Sequence, residues 1–240
     1  MHQRRIMTAQ SQPFAAESYL VRVDVGVASL EGQLIMPGEP RGIVLFAHGS
    51  GSSRHSPRNK LVAQALRRDV GVGTLLIDLL SPAEDAVDAR TAKLRFDIDL
   101  LATRVIGIGD WLGRGTRTAG LPIGLFGAST GAAAALIAST RMAGVAAIVS
   151  RGGRPDLVTD AVLAAVRSPT LFIVGGDDPQ VIDLNRGAVR SMSNTRELTV
   201  IPGAGHLFAE PGKLGEVSDR AATWFDRHLP RREERDEPRG

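Results

Sequence analysis

The chain has 240 residues, 43% of them hydrophobic and 23% charged, which suits one substantial core and excludes a wholly disordered chain. Lys plus Arg number 29 against 26 for Asp plus Glu, a net of +3 with an isoelectric point near 9.9, and almost all the positive charge is guanidinium because only Lys60, Lys93 and Lys213 are lysines. The arginines are scattered rather than gathered in one basic stripe, so no nucleic-acid partner is expected, and the absence of cysteine excludes a disulfide framework, a thiolate nucleophile and a cysteine metal site.

Residues 1–17 form a polar lead with a basic start and no apolar run of signal-peptide length, and a flexible segment is expected there. No later stretch approaches the roughly 18 continuous apolar residues of a membrane span, so the expectations are no membrane partner and a cytoplasmic location. "SYLVRVDVGVASLEGQLIMP" then alternates apolar and polar residues, the period of a half-exposed antiparallel hairpin. "RGIVLFAHG", "GTLLIDL", "LPIGLFG", "GVAAIVS", "SPTLFIVGG" and "RELTVIPG" are short apolar runs flanked by Gly or Pro, as strands covered on both faces are. Helical stretches fall between them: "RNKLVAQALRR", "RFDIDLLATRVIGIGDWL", "STGAAAALIASTRM", "DLVTDAVLAAV", "QVIDLNRGAVRSM" and "GEVSDRAATWFDRHL". Alternation of strand and helix predicts a doubly wound, mostly parallel α/β sheet in a single domain over residues 18–229. The charged end, residues 230–240, has no apolar face and is expected to be disordered.

In an open parallel sheet, reactive groups collect beyond the carboxyl ends of the strands, and this gives each candidate a positional test. Ser129 stands in "GASTG", between a strand and an alanine-rich helix. A G-x-S-x-G serine in that context is a nucleophile elbow, whose small neighbours let strand and helix close around a lifted hydroxyl. The bare motif also fits a glycine-rich turn with a surface serine, so partners decide. They follow in the order Ser, acid, His. "TLFIVGGDDPQV" ends a strand with Asp177 and Asp178, either of which suits the acid or a helix cap ahead of Pro179. "LTVIPGAGHLF" ends the next with His206, alone among the five histidines in having both position and order. "FAHGSGSSRHSPRN" supplies backbone donors for an oxyanion, assigned to the N–H of Ser50 and of Thr130, while His48 is expected to brace that loop.

Taken together, "HGSGSS", "GASTG", "VGGDDPQV" and "PGAGHLF" resemble the α/β-hydrolase superfamily, and residues 18 to 229 resemble its dienelactone hydrolase-like branch. The resemblance implies an α/β-hydrolase fold of about eight strands with an N-terminal antiparallel hairpin. It places the acid on Asp178, with Val181 three residues later, and the base on His206. It implies no cofactor and no metal. Authentic dienelactone hydrolases use a cysteine nucleophile, which this chain lacks, so the resemblance is to a serine-nucleophile member. Positions 130 to 177, 48 residues, separate Ser129 from Asp178, room for two strands and a short helix but not for a cap domain.

The reading is a cofactor-free serine hydrolase of small-molecule esters or lactones, a carboxylesterase or lactonase working through an acyl-enzyme. The alternatives are a hydrolase of thioesters or amides and a non-catalytic binding module on the same fold. Arg54 and Arg58 after the oxyanion loop, and Arg151 and Arg154 in "SRGGRPD", stand in loops at the same end of the sheet. Arg54 and Arg151 are the candidates for binding an anionic part of the substrate, against the alternative that these arginines are solvated or paired with acids such as Asp156.

Overall fold

The structure, a computed structural model, describes residues 16–230. Eight strands form one sheet: β1 (Glu17–Val25), β2 (Ala28–Met36), β3 (Ile43–Ala47), β4 (Gly73–Ile77), β5 (Ile123–Ala128), β6 (Val145–Arg151), β7 (Thr170–Gly175) and β8 (Arg196–Ile201). Their order across the sheet is β1-β2-β4-β3-β5-β6-β7-β8. β1 and β2 are antiparallel to each other, β2 is antiparallel to β4, and all other neighbours run parallel. The sheet therefore has the predicted architecture, and its first strand begins at Glu17, one residue ahead of the predicted domain boundary. Residues 1–15 of the predicted lead and residues 231–240 of the charged end lie outside the described residues.

Among the described residues six α-helices connect the strands and a seventh follows the last: α1 (Pro57–Asp69), α2 (Pro82–Thr91), α3 (Ile98–Arg114), α4 (Thr130–Ser139), α5 (Asp160–Ala165), α6 (Pro179–Ser191) and, after β8, α7 (Lys213–His228). One apolar layer joins α1 and α7 to the sheet through Val62, Leu66, Val217 and Phe225. The other is built by α3, α4 and residues of α5 and α6. β3 to β7 are covered by these layers and read buried at nearly every position, which explains their uninterrupted apolar runs.

Two expectations are corrected. β8 is an edge strand, with Arg196 and Glu197 exposed and only Ile201 buried, because no strand follows it across the sheet. α2 was not predicted: apart from Asp88 it buries nothing, so it lacks an apolar period. Its signal was local, a capping box in which Ser81 and Glu84 exchange hydrogen bonds, with Pro82 at the first helical turn.

The chain runs from β3 outward to β4 and then returns to the opposite side of β3 to make β5. The crevice opened by that reversal, outside the carboxyl ends of β3 and β5, is where open α/β sheets hold ligands. The loop after β3 and the turn after β5 meet there.

Candidate active site

β5 ends at Ala128 and α4 begins at Thr130, leaving Ser129 alone to make the turn. Its backbone sits at φ 51°, ψ −119°, a conformation that costs a non-glycine residue on the order of 1–3 kcal/mol and persists only where the surroundings impose it. They do. The Ser129 N–H donates to the Arg151 carbonyl at 3.1 Å, and the Ser129 carbonyl accepts from Ala132 at 3.1 Å and from Arg154 at 3.3 Å.

The two glycines of the motif have separate steric reasons. A methyl on Gly127 would stand 2.4 Å from Cα of Ala132, so its absence lets α4 fold back onto β5. A methyl on Gly131 would stand 2.2 Å from the carbonyl oxygen of Ala47 and 2.4 Å from that of His48, so its absence admits the loop after β3. That loop presses on the turn: a methyl on Gly49 would meet Cβ of Ser129 at 3.0 Å.

His48 braces the loop as anticipated. Its Nδ1 lies 3.0 Å from the Gly49 carbonyl, and its Nε2 accepts the Leu79 N–H at 3.1 Å, which fixes the neutral ring with its proton on Nδ1. Burial holds its pKa below the ordinary value, against the opposing influence of the Gly49 carbonyl, Asp78 and Asp85. The Ser50 N–H, expected to face an oxyanion, instead donates to Thr130 Oγ1 at 2.9 Å, because the close approach of the loop to α4 brings that hydroxyl within reach, and the bond ties the loop to the first residue of α4. The Thr130 N–H belongs to the first turn of α4, where backbone donors have no partner within the helix.

β7 and the segment after β8 bring the acid and base together. A methyl on Gly175 would lie 2.3 Å from the Ala204 carbonyl oxygen, so only glycine lets the two segments approach this closely. The Asp177 N–H donates to the same carbonyl at 3.0 Å, while the Asp177 residue is exposed. Asp178 turns inward, and its Oδ2 is 2.8 Å from Nδ1 of His206. The imidazole stands over the end of β6, since a methyl on Gly152 would meet its Cε1 at 3.3 Å. Gly152 directly follows the residue whose carbonyl accepts the Ser129 N–H. Ser129, Thr130, Ser50, Asp178 and His206 are thus gathered at one end of the sheet.

The arginines divide. Arg54 is committed to carboxylates: its backbone N–H and guanidinium both bind Asp78, and Nη2 reaches Glu31 at 2.8 Å. Arg154 makes two bonds to Asp156, at 2.8 and 2.6 Å. Arg151 is different in kind and in place. It is the last residue of β6 rather than part of a loop, and it is 8% exposed.

A cleft of about 560 Å³ opens beside the loop after β3, lined by Ser50, Arg54, Asp78, Asp85, Asp88 and Arg95 among others. Its four carboxylates, Glu31 included, outnumber its two guanidiniums. Sequence reasoning missed this cleft because α2, which walls it, went unread. Among the described residues no group of three or more His, Cys, Asp or Glu is arranged to hold a metal ion, and no helix is long and apolar enough to cross a membrane.

An open sheet with an elbow serine at its switch point, followed in chain order by a paired acid and histidine, defines an α/β-hydrolase-type architecture. A crystal structure of dienelactone hydrolase from Anabaena variabilis is 50% identical, with a TM-score of 0.87, over 90% of this chain and 99% of that one. The chain belongs to the dienelactone hydrolase family. Est1E from Butyrivibrio proteoclasticus shares the fold at 14% identity and a TM-score of 0.73, covering 88% of this chain and 98% of that one. Two Mycobacterium tuberculosis proteins, from strains CDC 1551 and H37Rv and each named "Putative phosphoribosyl transferase", are 51% identical over 210 residues, 87% of this chain. The chain spans 46% of the length of those curated relatives. No protein-family model matches it.

Proposed function

We propose that the protein is a serine hydrolase of small-molecule carboxylic esters or lactones. The observation that carries this is the 2.8 Å hydrogen bond between Asp178 and Nδ1 of His206, made beside a serine held in a strained elbow. An aspartate on Nδ1 leaves Nε2 of the same ring free to accept a proton, which a general base toward Ser129 requires.

In the first half-reaction Ser129 Oγ attacks the ester carbonyl carbon and its proton passes to His206 Nε2. The carbonyl π pair moves onto oxygen, where the Thr130 N–H is the donor, the Ser50 N–H being given to Thr130 Oγ1. Collapse of the tetrahedral adduct breaks the bond to the alkoxy oxygen, which takes the proton from His206 and leaves as the alcohol. Water then repeats the sequence on the acyl-enzyme, releasing the acid and restoring Ser129. Asp178 holds the imidazole in the required tautomer and offsets its positive charge while protonated.

The hydrolase named in the 50% identical relative supports this reading. The transferase in the mycobacterial names is not carried over, because it describes proteins of which this chain spans 46%. Labelling with a fluorophosphonate probe is the direct test. Wild type is expected to be modified at Ser129, and Ser129→Ala is expected to resist labelling and to lose on the order of 10³-fold or more in turnover of p-nitrophenyl acetate. A wild-type protein that does not label would instead be a binding module on a hydrolase fold.

A further inference from the structure

α6 buries one stripe, Val181, Ile182, Asn185 and Ala188, and Asn185 is its polar member, 0% exposed. Its Nδ2 donates to the Gly153 carbonyl at 3.0 Å and to the Val181 carbonyl at 2.8 Å. Both neighbours are carbonyl oxygens, which only accept, so the amide nitrogen must face them. The Oδ1 is shielded from solvent and accepts nothing. A half-satisfied amide is a costly filling for an apolar stripe, and packing alone would favour a leucine. What Asn185 supplies is the pair of donors.

One of those donors holds the segment on which the candidate site is assembled. Residues 151–154 grip Ser129 at both of its backbone groups: the Arg151 carbonyl accepts its N–H at 3.1 Å, and the Arg154 N–H donates to its carbonyl at 3.3 Å. Between those anchors the His206 ring stands over Gly152, whose backbone turns left-handed at φ 52° and donates to the Ile173 carbonyl at 2.7 Å. Gly153 follows it. Two consecutive glycines have no side chains to pack and the widest backbone freedom, so outside bonds must fix them. Asn185 fixes the Gly153 carbonyl. The acid belongs to the same helix: Asp178 stands at the N-cap of α6, and its carboxylate makes no bond to the helix end but lies 2.8 Å from His206. The seven residues from Asp178 to Asn185 are about two helical turns, which keeps both on one side of α6.

We infer that Asn185 is a positioning residue: by clamping α6 to the Gly153 carbonyl it sets the Asp178–His206 pair against Ser129. It acts through these groups and touches no substrate. Reacting groups tolerate little misplacement, and a shift on the order of 1 Å can cost about 10²-fold in rate. The inference rests on the hydrolase reading for its kinetic consequence, while the alignment of His206 is also read without turnover, from the proton on Nδ1.

Asn185→Leu keeps a branched side chain of similar length and removes both bonds. In the wild-type full chain the Nδ1 proton held by Asp178 is expected to give a low-field proton NMR signal that is absent from His206→Gln, and Asn185→Leu is expected to shift or lose it. On p-nitrophenyl acetate, kcat per fluorophosphonate-titrated site is expected to fall roughly tenfold with KM held within about twofold. Asn185→Ala removes the same donors and is expected to act alike, so it serves where the leucine variant does not fold. Thr118→Val deletes another buried side-chain bond, to the Leu112 carbonyl in the turn after α3, and is expected to change neither reading. An unaltered signal or an unaltered kcat in a folded Asn185 variant, a loss carried by KM, or an equal loss in Thr118→Val overturns the inference. A wild type that shows the signal but resists the fluorophosphonate would lose the hydrolase reading, and the response of the signal to Asn185→Leu would then decide the positioning.

Discussion

The backbone N–H of Ser50 donates to the hydroxyl of Thr130 at 2.9 Å, so the loop after β3 is fastened to the helix that follows the candidate nucleophile. The bond occupies the Ser50 N–H and holds the loop against the turn that carries the Thr130 N–H, and a donor to an oxyanion works only if its surroundings are already fixed. Thr130→Ser keeps the acceptor and is expected to retain kcat within about twofold. Thr130→Val removes it and is expected to lower kcat by roughly tenfold, less than the 10²–10³ that follows outright loss of a donor. Steady-state kinetics on p-nitrophenyl acetate decide, and equal rates for the two variants would mean the tether does nothing for catalysis.

The adjacent aspartates make an internal control for the acid. Asp178 carries the bond to His206, whereas Asp177 is exposed and engages the neighbouring segment through its backbone N–H. Asp178→Asn is expected to reduce kcat by about 10²–10⁴ through the wrong imidazole tautomer, and Asp177→Asn by less than about threefold. The opposite ranking would transfer the role to Asp177.

Glycine 131 is predicted to be sensitive for steric rather than conformational reasons. Gly131→Ala drives a methyl to within 2.2 Å of the Ala47 carbonyl and is expected to destabilise the fold by about 1–3 kcal/mol, with the loop after β3 displaced. Gly113→Ala, in α3 with nothing within 4 Å, is expected to be neutral or to stabilise by up to about 1 kcal/mol. Urea unfolding of both variants measures the contrast.

His48 should give the fold an acid-side weakness. Its folded pKa lies below the ordinary 6.5, chiefly through burial, so the unfolded chain binds this proton more readily. The sign follows: stability falls as pH drops below about 6.5 toward the folded value, and levels off only beneath it. Protonating Nε2 also breaks the bond from Leu79. Unfolding free energy measured between pH 7.5 and 5 is expected to decline less steeply in His48→Gln; an identical slope would remove His48 as the source.

By itself the sequence determined the order of the eight strands and of every α-helix but α2, the turn at Ser129 and the candidate histidine at 206, because each is written locally: buried strands as apolar runs, the turn as G-x-S-x-G at a strand end, the candidate histidine by its place in the chain. α2 escaped because a helix that buries almost nothing has no apolar period to read, and β8 looked buried because its composition does not record that no strand lies beyond it. The choice of Asp178 over its neighbour came from the family resemblance, and the bond to His206 supports it through a meeting of two segments that no local pattern encodes. The arginines show the same division most sharply. Arg54, Arg58, Arg151 and Arg154 are alike as letters, and only packing decided that Arg54 and Arg154 have carboxylates to neutralise them while Arg151 is buried with no carboxylate on its guanidinium among the described residues. Charge pairing depends on distances between residues remote in sequence, and those distances are fixed by the sheet's crossovers.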